Sequence, residues 1–319
     1  ISEFYLSCMG FLDAGGLIPI TKICTKMTMG NMMRNYLILS LLTVGLSSCF
    51  LFSSKEAPKD GPAQGKIAIA VDESFQPLVQ AEKTAFENNY HFAKLDIRFT
   101  PENEAVADLL NEKVRSIVVS RELTAKEKAI FTREKISYRS FRFAADGVAL
   151  LTNIANNDTL ITLPALKGLL DGSLREWSSI GAKNMSGEVV LVVDKANSSN
   201  IKFLIDRLGI SASQTLRVFA AGSNPKVIEY VKQHKNAIGI IGSNWISDGD
   251  NPTSLGFIRS VHVMSVAEKE GVDKSKYTQP FGYNLALKTY PLRREIKMIL
   301  KESHLGLGTG FVNYVCGEI

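Results

Sequence analysis

The chain has 319 residues, of which 45% are hydrophobic and 22% charged, and its formal net charge is +5. This length allows two domains of ordinary size, and the composition is that of a globular protein. Basic and acidic residues are interleaved along the sequence, without the clustered lysine and arginine of a nucleic-acid-binding surface. The mild positive charge suits an anionic ligand, and no nucleic-acid partner is expected.

Residues 32–48 have the order of features found in a secretory signal. Arg34 supplies a positive charge, an apolar run extends over 36–46, and "LSSC" ends the segment at Cys49. The apolar run is shorter than the ~20 residues that a membrane-spanning helix needs. Small residues that end in cysteine resemble a bacterial lipobox. We therefore predict a lipoprotein signal peptide at 32–48 and a lipid anchor at Cys49.

The segments around this signal carry weaker patterns. Residues 1–31 precede a plausible start at Met32 or Met33, and we interpret them as an upstream extension of doubtful status. Residues 49–65 are rich in serine, proline, glycine and lysine, which predicts a flexible tether. The final "GTGFVNYVCGEI" has the pattern of a helix cut short, so a missing C-terminal segment is expected.

Cysteine and histidine usage favours neither a disulfide framework nor a metal site. If Cys49 carries a lipid, Cys316 has no partner in the processed chain, because Cys8 and Cys24 precede the signal. The four histidines are scattered and show no ligand spacing. No cofactor is expected.

Strands and helices alternate from residue 66 onward. "KIAIAV" (66–71) and "RSIVVS" (115–120) are apolar and predict strands, and a helix follows the first of them after "DESFQP". "TAKE" has the pattern of a capping box, which predicts a helix that starts at Thr124. "ISYRSFRF" and "GVALLTN" predict two strands that flank Asp146-Gly147.

The alternation continues in the second half. "TLPALKGLLDG" predicts a short helix capped by Thr162 and ended by Gly172. "EVVLVV" (188–193) predicts a strand that leads through a polar loop into a helix. "NPKVIEYVKQ" predicts a helix capped by Asn224, and "NAIGIIG" a buried strand. This order predicts an α/β fold with largely parallel sheets.

The polar loop after residue 193 could hold an anion. A helix start presents free N–H groups and a partial positive charge, and Ser198, Ser199 and Asn200 add side-chain donors. The same strand–turn–helix order recurs at 72–75 and at Ser120-Arg121, and ligands of open α/β sheets bind at the carboxyl ends of strands. Helix capping alone explains Ser198 equally well, so both readings stay open.

Several segments resemble, in order, the phosphate-binding subunits of bacterial ABC phosphate importers, especially the lipoprotein versions. They are "VDESFQP", "IVVSREL", "FAADGVALLTN", "ITLPALKGLLDGSLREWSSIG", "VVDKANSSNIKFLID", "NAIGIIGSNWISD" and "GLGTGFVNYVCGE". The resemblance covers about residues 66–319. It implies a hinged, two-lobed periplasmic-binding-protein fold of type II. We expect lobe 1 at 66–145 plus 243–319 and lobe 2 at 146–242, with crossings at "AADGV" and "IIGSN".

The resemblance also implies a function. The chain would capture inorganic phosphate or a similar oxyanion outside the cytoplasm, as a monomer anchored to the membrane by its lipid. It would deliver this ligand to ABC permease and ATPase subunits. The implied ligand-binding residues are Ser74, Phe75, Ser120, Arg121, Asp146, Ser198, Ser199 and Asn200.

The sequence departs from the family pattern at two places. Asp194 stands where members often have arginine. Arg121 and Glu122 stand where many members have serine and sometimes an aspartate that accepts the proton of hydrogen phosphate. Arg121 could replace the missing cation, because a guanidinium binds tetrahedral oxyanions through two parallel hydrogen bonds. Arg121 could equally pair with Glu122 or Glu127.

Other residues also have two interpretations. Asp146 could face the ligand or support a turn with Gly147, Ser74 could be only a helix cap, and Trp177 fits the core better than a ligand contact. No enzyme is expected, since the motifs of serine hydrolases, P-loops and zinc peptidases are all missing from the sequence. A ligand sensor or surface-binding protein on the same fold is the alternative function, with a hydrolase a distant third.

Overall fold

The computed structural model of the chain describes residues 60–317 apart from 212 and 250. The strands are β1 (Gln64–Asp72), β2 (Phe92–Thr100), β3 (Ser116–Val119), β4 (Arg139–Asn153), β5 (Leu160–Thr162), β6 (Val190–Val193), β7 (Phe219–Ala220), β8 (Ala237–Gly242), β9 (Val261–Val263), β10 (Ser265–Ala267) and β11 (Arg293–Leu300). The α-helices are α1 (Gln76–Asn89), α2 (Glu102–Leu110), α3 (Ala125–Arg133), α4 (Leu163–Asp171), α5 (Ser199–Leu208), α6 (Asn224–Gln233), α7 (Pro252–Ser260), α8 (Gly282–Ala286) and α9 (Leu307–Cys316).

One long strand, β4, joins two groups of strands. Its residues 139–147 pair with β11, which continues the order β2-β1-β3-β11, and we call these strands the first sheet. Its residues 148–152 pair with β8, which continues to β6 and β7, and we call these the second sheet. Strand β9 pairs with the end of β4, and β10 pairs with β5 in a separate two-stranded sheet. The chain therefore crosses between the sheets inside a strand.

This crossing corrects the prediction of two strands that flank Asp146-Gly147. Both residues lie within the β4 ladder, where Asp146 opposes Arg294 and Gly147 opposes Arg293. A side chain at Gly147 would come within 3.1–3.2 Å of atoms of Tyr290, Leu285 and Pro280, so the glycine allows close packing here. Gly147 is therefore required for close packing within the strand and does not mark a turn.

The sheets are mixed rather than largely parallel. Strand β1 runs parallel to β2 and β3, and β6 runs parallel to β7 and β8. The pairs that involve β4 or β11 are antiparallel. The parallel pairs come from the alternating strands and helices that the sequence predicted, and the antiparallel pairs come from β4 and β11, which lie between them in the strand order.

Each sheet is covered on both faces by helices. Alternate residues of β1 point to opposite faces: Ile67, Ile69 and Val71 pack with α1 and α9, whereas Ala70 packs with α2. The second sheet divides in the same way between a cluster that includes α4 and α5 and a cluster that includes α6. This arrangement is a two-lobed α/β fold, as the sequence predicted.

The second boundary between the predicted lobes departs from the observed packing. Residues 243–292 were assigned to lobe 1, but Ile246, Val261 and Val263 belong to a hydrophobic cluster of the second sheet. Met264, Val266, Leu285, Tyr290 and Leu292 belong to its other cluster. The chain returns to the first sheet only at β11. The excursion was missed because β9 and β10 have three residues each, too few to give a periodic pattern.

The helix starts test three capping predictions. Thr124 forms a capping box with Glu127, and the Thr162 hydroxyl accepts a hydrogen bond from Ala165 N at 3.3 Å, so both predictions are confirmed. The prediction for Asn224 is wrong. Ser223 is the N-cap of α6 and makes no side-chain capping bond, while Asn224 lies inside the helix and its side chain bonds elsewhere.

Part of the predicted organisation lies outside the described residues. This applies to the extension at 1–31, the signal peptide at 32–48 and the anchor at Cys49. Strand β1 begins at Gln64, so the last two residues of the predicted tether belong to the sheet. Among the described helices, none combines the length and the apolar character needed to cross a membrane.

Candidate functional site

Two segments that follow strand ends meet beside the crossing. Ser74 follows β1 in a short 3-10 turn (Glu73–Phe75), and Ser199 begins α5 after β6. Both side chains are buried, and the Ser199 hydroxyl donates a hydrogen bond to the Ser74 hydroxyl at 3.1 Å. The structure thus brings together two of the three helix-start segments that the sequence singled out.

Polar side chains form hydrogen bonds around the start of α5. Ser198 is the N-cap, and its hydroxyl accepts a hydrogen bond from Ile201 N at 3.5 Å. Asn200 donates to Asn224 Oδ1 at 3.3 Å, and Asn224 donates to Asp194 Oδ2 at 3.5 Å. The side-chain amide of Asn224 thus links α5 and α6 at this site and does not cap a helix.

Two buried carboxyl groups face this region. Burial, reinforced by the charge of Glu102, raises the pKa of Asp72 from 3.8 to about 6. Burial also raises the pKa of Asp194. Within the described part of the chain, Asp72 Oδ2 and Asp194 Oδ1 are shielded from solvent and have no hydrogen-bond partner. Each carboxyl group thus has an oxygen that could accept a proton from a ligand.

The cation of the site was missed in the sequence. Arg294, on β11, is 3% exposed, and its Nε and Nη2 donate to Asp146 Oδ2 at 3.0 and 2.8 Å. Its guanidinium carbon lies 4.7 Å from the centre of the Phe75 ring. Its Nη1 is buried without a hydrogen-bond partner among the described residues. Arg294 lies in none of the segments that carry the resemblance, and its partner Asp146 is 148 residues away, so no local pattern indicated it.

The predicted residue Asp146 is therefore half of a buried ion pair. Its other oxygen, Oδ1, accepts hydrogen bonds from the Ser243 hydroxyl at 2.8 Å and from Asn244 N at 3.3 Å. The Asn244 amide and the Trp245 indole both donate to the carbonyl of Ser74, at 2.9 and 3.0 Å. The loop after β8 thus connects the crossing in β4 to the turn that carries Ser74.

Ser120 and Arg121 have carboxylate partners of their own. Both the N–H and the hydroxyl of Ser120 donate to Glu102 Oε1, at 2.9 and 2.6 Å. Arg121 makes two hydrogen bonds with Glu127, at 2.8 and 2.9 Å, and its Nε lies 3.3 Å from Glu102 Oε2. Arg121 thus makes the surface pairing that the sequence analysis left open, and its role toward a ligand stays a prediction. Glu102, whose charge acts on Asp72, connects both residues to the site.

The side chains of Phe75 and Trp177 lie in the hydrophobic core. The Phe75 ring is fully buried in the cluster beneath α1, which leaves only its backbone for a ligand contact. Trp177 is fully buried and its indole donates to the Asn236 carbonyl at 3.3 Å, which confirms the assignment to the core. Among the described residues, no group of histidine, cysteine, aspartate and glutamate could hold a metal ion.

The arrangement can hold a small polar ligand that both accepts and donates hydrogen bonds. Donors are the serine hydroxyls, the helix-start N–H groups and the Arg294 guanidinium, and acceptors are the unpartnered oxygens of Asp72 and Asp194. The donors come from both sheets, since Ser74 follows β1 and Ser199 follows β6. A buried polar site between two lobes defines a ligand-binding protein of the hinged, two-lobed class.

Comparison with known families agrees with this class. The family model of the PBP superfamily domain matches residues 56–318. The chain therefore belongs to the PBP superfamily. A curated relative, the phosphate-binding protein PstS of Staphylococcus haemolyticus (strain JCSC1435), is 20% identical over 188 residues, which cover 58% of this chain and 55% of the relative. The chain thus matches about half the length of that relative.

Solved structures share the fold. A putative phosphate ABC transporter substrate-binding protein with bound phosphate, from Clostridium perfringens, superposes with a TM-score of 0.64 at 21% identity, covering 79% of this chain and 93% of its own. An ABC-type phosphate transport receptor from Vibrio cholerae superposes with a TM-score of 0.59 at 18% identity, covering 80% and 94%. At these identities the likeness establishes the fold.

Proposed function

We propose that the chain is an extracytoplasmic solute-binding protein that captures phosphate between its two lobes and delivers it to an ABC permease. The observation that carries this proposal is the contact of Ser74 with Ser199, which brings helix-start donors from both lobes to one point. Such donors bind anions without a metal. The phosphate-related names of the relatives support the same ligand class.

The charges of the site favour an anion that carries a proton. Arg294 supplies one buried positive charge, but Asp146 already balances it. The buried oxygens of Asp72 and Asp194 would repel a fully ionised dianion such as sulfate. They can accept a hydrogen bond from the P–OH group of hydrogen phosphate. This bond removes the free-energy cost of a buried acceptor that has no hydrogen bond. We therefore assign to Asp194 the role of a proton acceptor.

We also propose how the protein is held and what it works with. The signal pattern at 32–48 and the lipobox-like cysteine support export and anchoring through Cys49. The anchored protein would act as a monomer and hand its ligand to permease and ATPase subunits. Its role is binding rather than catalysis. Cys49→Ala should release the protein from membranes or block its processing, and a variant that is cleaved and anchored normally would contradict this assignment.

A serine substitution tests the proposed site. Ser199→Ala removes one hydroxyl donor to the anion, and a hydrogen bond to a charged group contributes about 1.5–3 kcal/mol. Because water can partly replace the hydroxyl, we expect phosphate affinity to fall about tenfold or more, measured by calorimetry. Ser178→Ala is the control, since Ser178 is exposed and its hydroxyl makes a hydrogen bond to Glu176 alone among the described residues. An unchanged affinity for Ser199→Ala would contradict the site.

A further inference from the structure

A groove of about 600 Å³ lies between α1 and the segment from Asn244 to Phe257. One wall is α1, which packs against the first sheet. The other wall includes Trp245 and Phe257, which pack against the second sheet. Ligand pockets in proteins have volumes of about 300–1,000 Å³. The groove is therefore large enough for an organic molecule several times the size of phosphate.

The wall formed by α1 is uncharged over its whole length. Gln76, Gln80, Thr84 and Asn88 follow one another at intervals of four residues, so they lie on one face of the helix, and all four are exposed. Of the three charged residues of α1, Lys83 and Glu87 are engaged with one another and with β2, and Glu82 is not among the residues that line the groove. A solvated helix face ordinarily carries lysine and glutamate, so a continuous row of amides and hydroxyls is a distinct surface.

The opposite wall supplies aromatic rings. Trp245 and Phe257 line the groove, and both also pack against the hydrophobic cluster under α6, which fixes their positions. Each ring is only partly buried, so part of its surface remains open. The side chain of Ala81 lies on the α1 wall and is small enough to let a ligand approach closely.

We propose that this groove binds a neutral carbohydrate of one or two sugar rings. Amides and hydroxyls offer both donors and acceptors to sugar hydroxyls, and aromatic faces pack against the apolar C–H surface of a sugar ring. Asp248 is the one charged residue among those that line the groove in the described chain, so an ionic ligand would find little charge to pair with.

The groove is adjacent to the anion site but separate from it. Trp245 and Asn244, which line the groove, donate to the carbonyl of Ser74, whereas the Ser74 hydroxyl faces Ser199. The sugar would therefore lie on the side of the Ser74 carbonyl, and phosphate on the side of the Ser74 hydroxyl. A sugar in the groove should bind whether or not phosphate is present.

Calorimetric titration of the protein with cellobiose, chitobiose and maltose, with and without saturating phosphate, tests the proposal. We expect at least one of them to bind with a dissociation constant of about 1 mM or lower. Ala81→Phe fills the groove and should weaken that binding at least about tenfold. Ala129→Phe, on the exposed face of α3, is the matched control and should leave it unchanged, and phosphate affinity should be the same in both variants.

Three results would overturn the proposal. The first is that none of the three disaccharides binds. The second is that Ala129→Phe weakens binding as much as Ala81→Phe does, which would place the sugar elsewhere. The third is that phosphate displaces the sugar, which would place the sugar in the anion site.

Discussion

Replacing Arg294 with methionine should destabilise the protein strongly. Asp146 is only 2% exposed. The substitution removes both hydrogen bonds from Arg294 to Asp146 Oδ2. The remaining partners, Ser243 and Asn244, donate only to Oδ1, so a buried carboxylate is left with one unpartnered oxygen. Hydrogen bonds to charged groups contribute about 1.5–3 kcal/mol each, and breaking a buried ion pair costs about 3–5 kcal/mol. We therefore expect the free energy of unfolding to fall by about 3–5 kcal/mol, measured by urea denaturation.

The double variant Arg294→Met/Asp146→Asn separates the charge from the packing. Asparagine keeps an acceptor for Ser243 but removes the unpaired charge, so the double variant should be more stable than Arg294→Met alone. A loss below about 1 kcal/mol for Arg294→Met would refute the buried ion pair. A double variant no more stable than the single one would refute the attribution of the loss to the unpaired Asp146 charge.

Three other predictions concern pH and packing. Because burial raises the pKa of Asp72 from 3.8 to about 6, the contribution of Asp72 to stability is most favourable below pH 3.8 and falls as pH rises from there to about 6. Asp72→Asn should remove that fall and add up to about 3 kcal/mol at pH 7 and almost nothing at about pH 3; equal gains at both pH values in urea denaturation would contradict it. Arg121 lowers the pKa of Glu127 to about 2, so this pair stabilises the protein above pH 4.5 and is lost toward pH 2. Because both groups are partly exposed, Arg121→Gln should cost about 1 kcal/mol or less at pH 7 and nothing at pH 2, and a loss that persists at pH 2 would count against the pairing. Two helix glycines form a matched pair: Gly256→Ala meets open space and should add about 0.5–1 kcal/mol, whereas a Cβ at Gly310 would overlap the Pro62 carbonyl and should cost at least about 1–3 kcal/mol. Thermal unfolding of the two variants should shift in opposite directions, and equal shifts would refute the packing of α9 against Pro62.

The sequence predicted those elements whose signals are local. The capping box at Thr124, the capped helix at Thr162 and the strand–loop–helix around Ser198 all appear where they were expected. Each of them depends on residues within a few positions of one another. The meeting of Ser74 with Ser199, 125 residues away, depends instead on how the chain crosses between the two sheets.

What the sequence could not indicate depends on distant partners. Arg294 enters the site through its antiparallel pairing with Asp146, which is 148 residues away in the chain. The three-residue strands β9 and β10 are defined by their pairing with β4 and β5 and carry no periodic pattern of their own. Asn224 has the pattern of a helix cap, but a buried carboxylate across the site binds its side chain instead.

The most direct test of the account is a calorimetric titration of the protein with phosphate and with sulfate at neutral pH. Because a proton-bearing anion satisfies the buried acceptors Asp72 and Asp194 and sulfate does not, we expect phosphate to bind at least about ten- to a hundredfold more tightly. Equal binding of the two anions would contradict the assignment of these carboxyl groups as proton acceptors. Binding of neither anion would contradict the anion site itself.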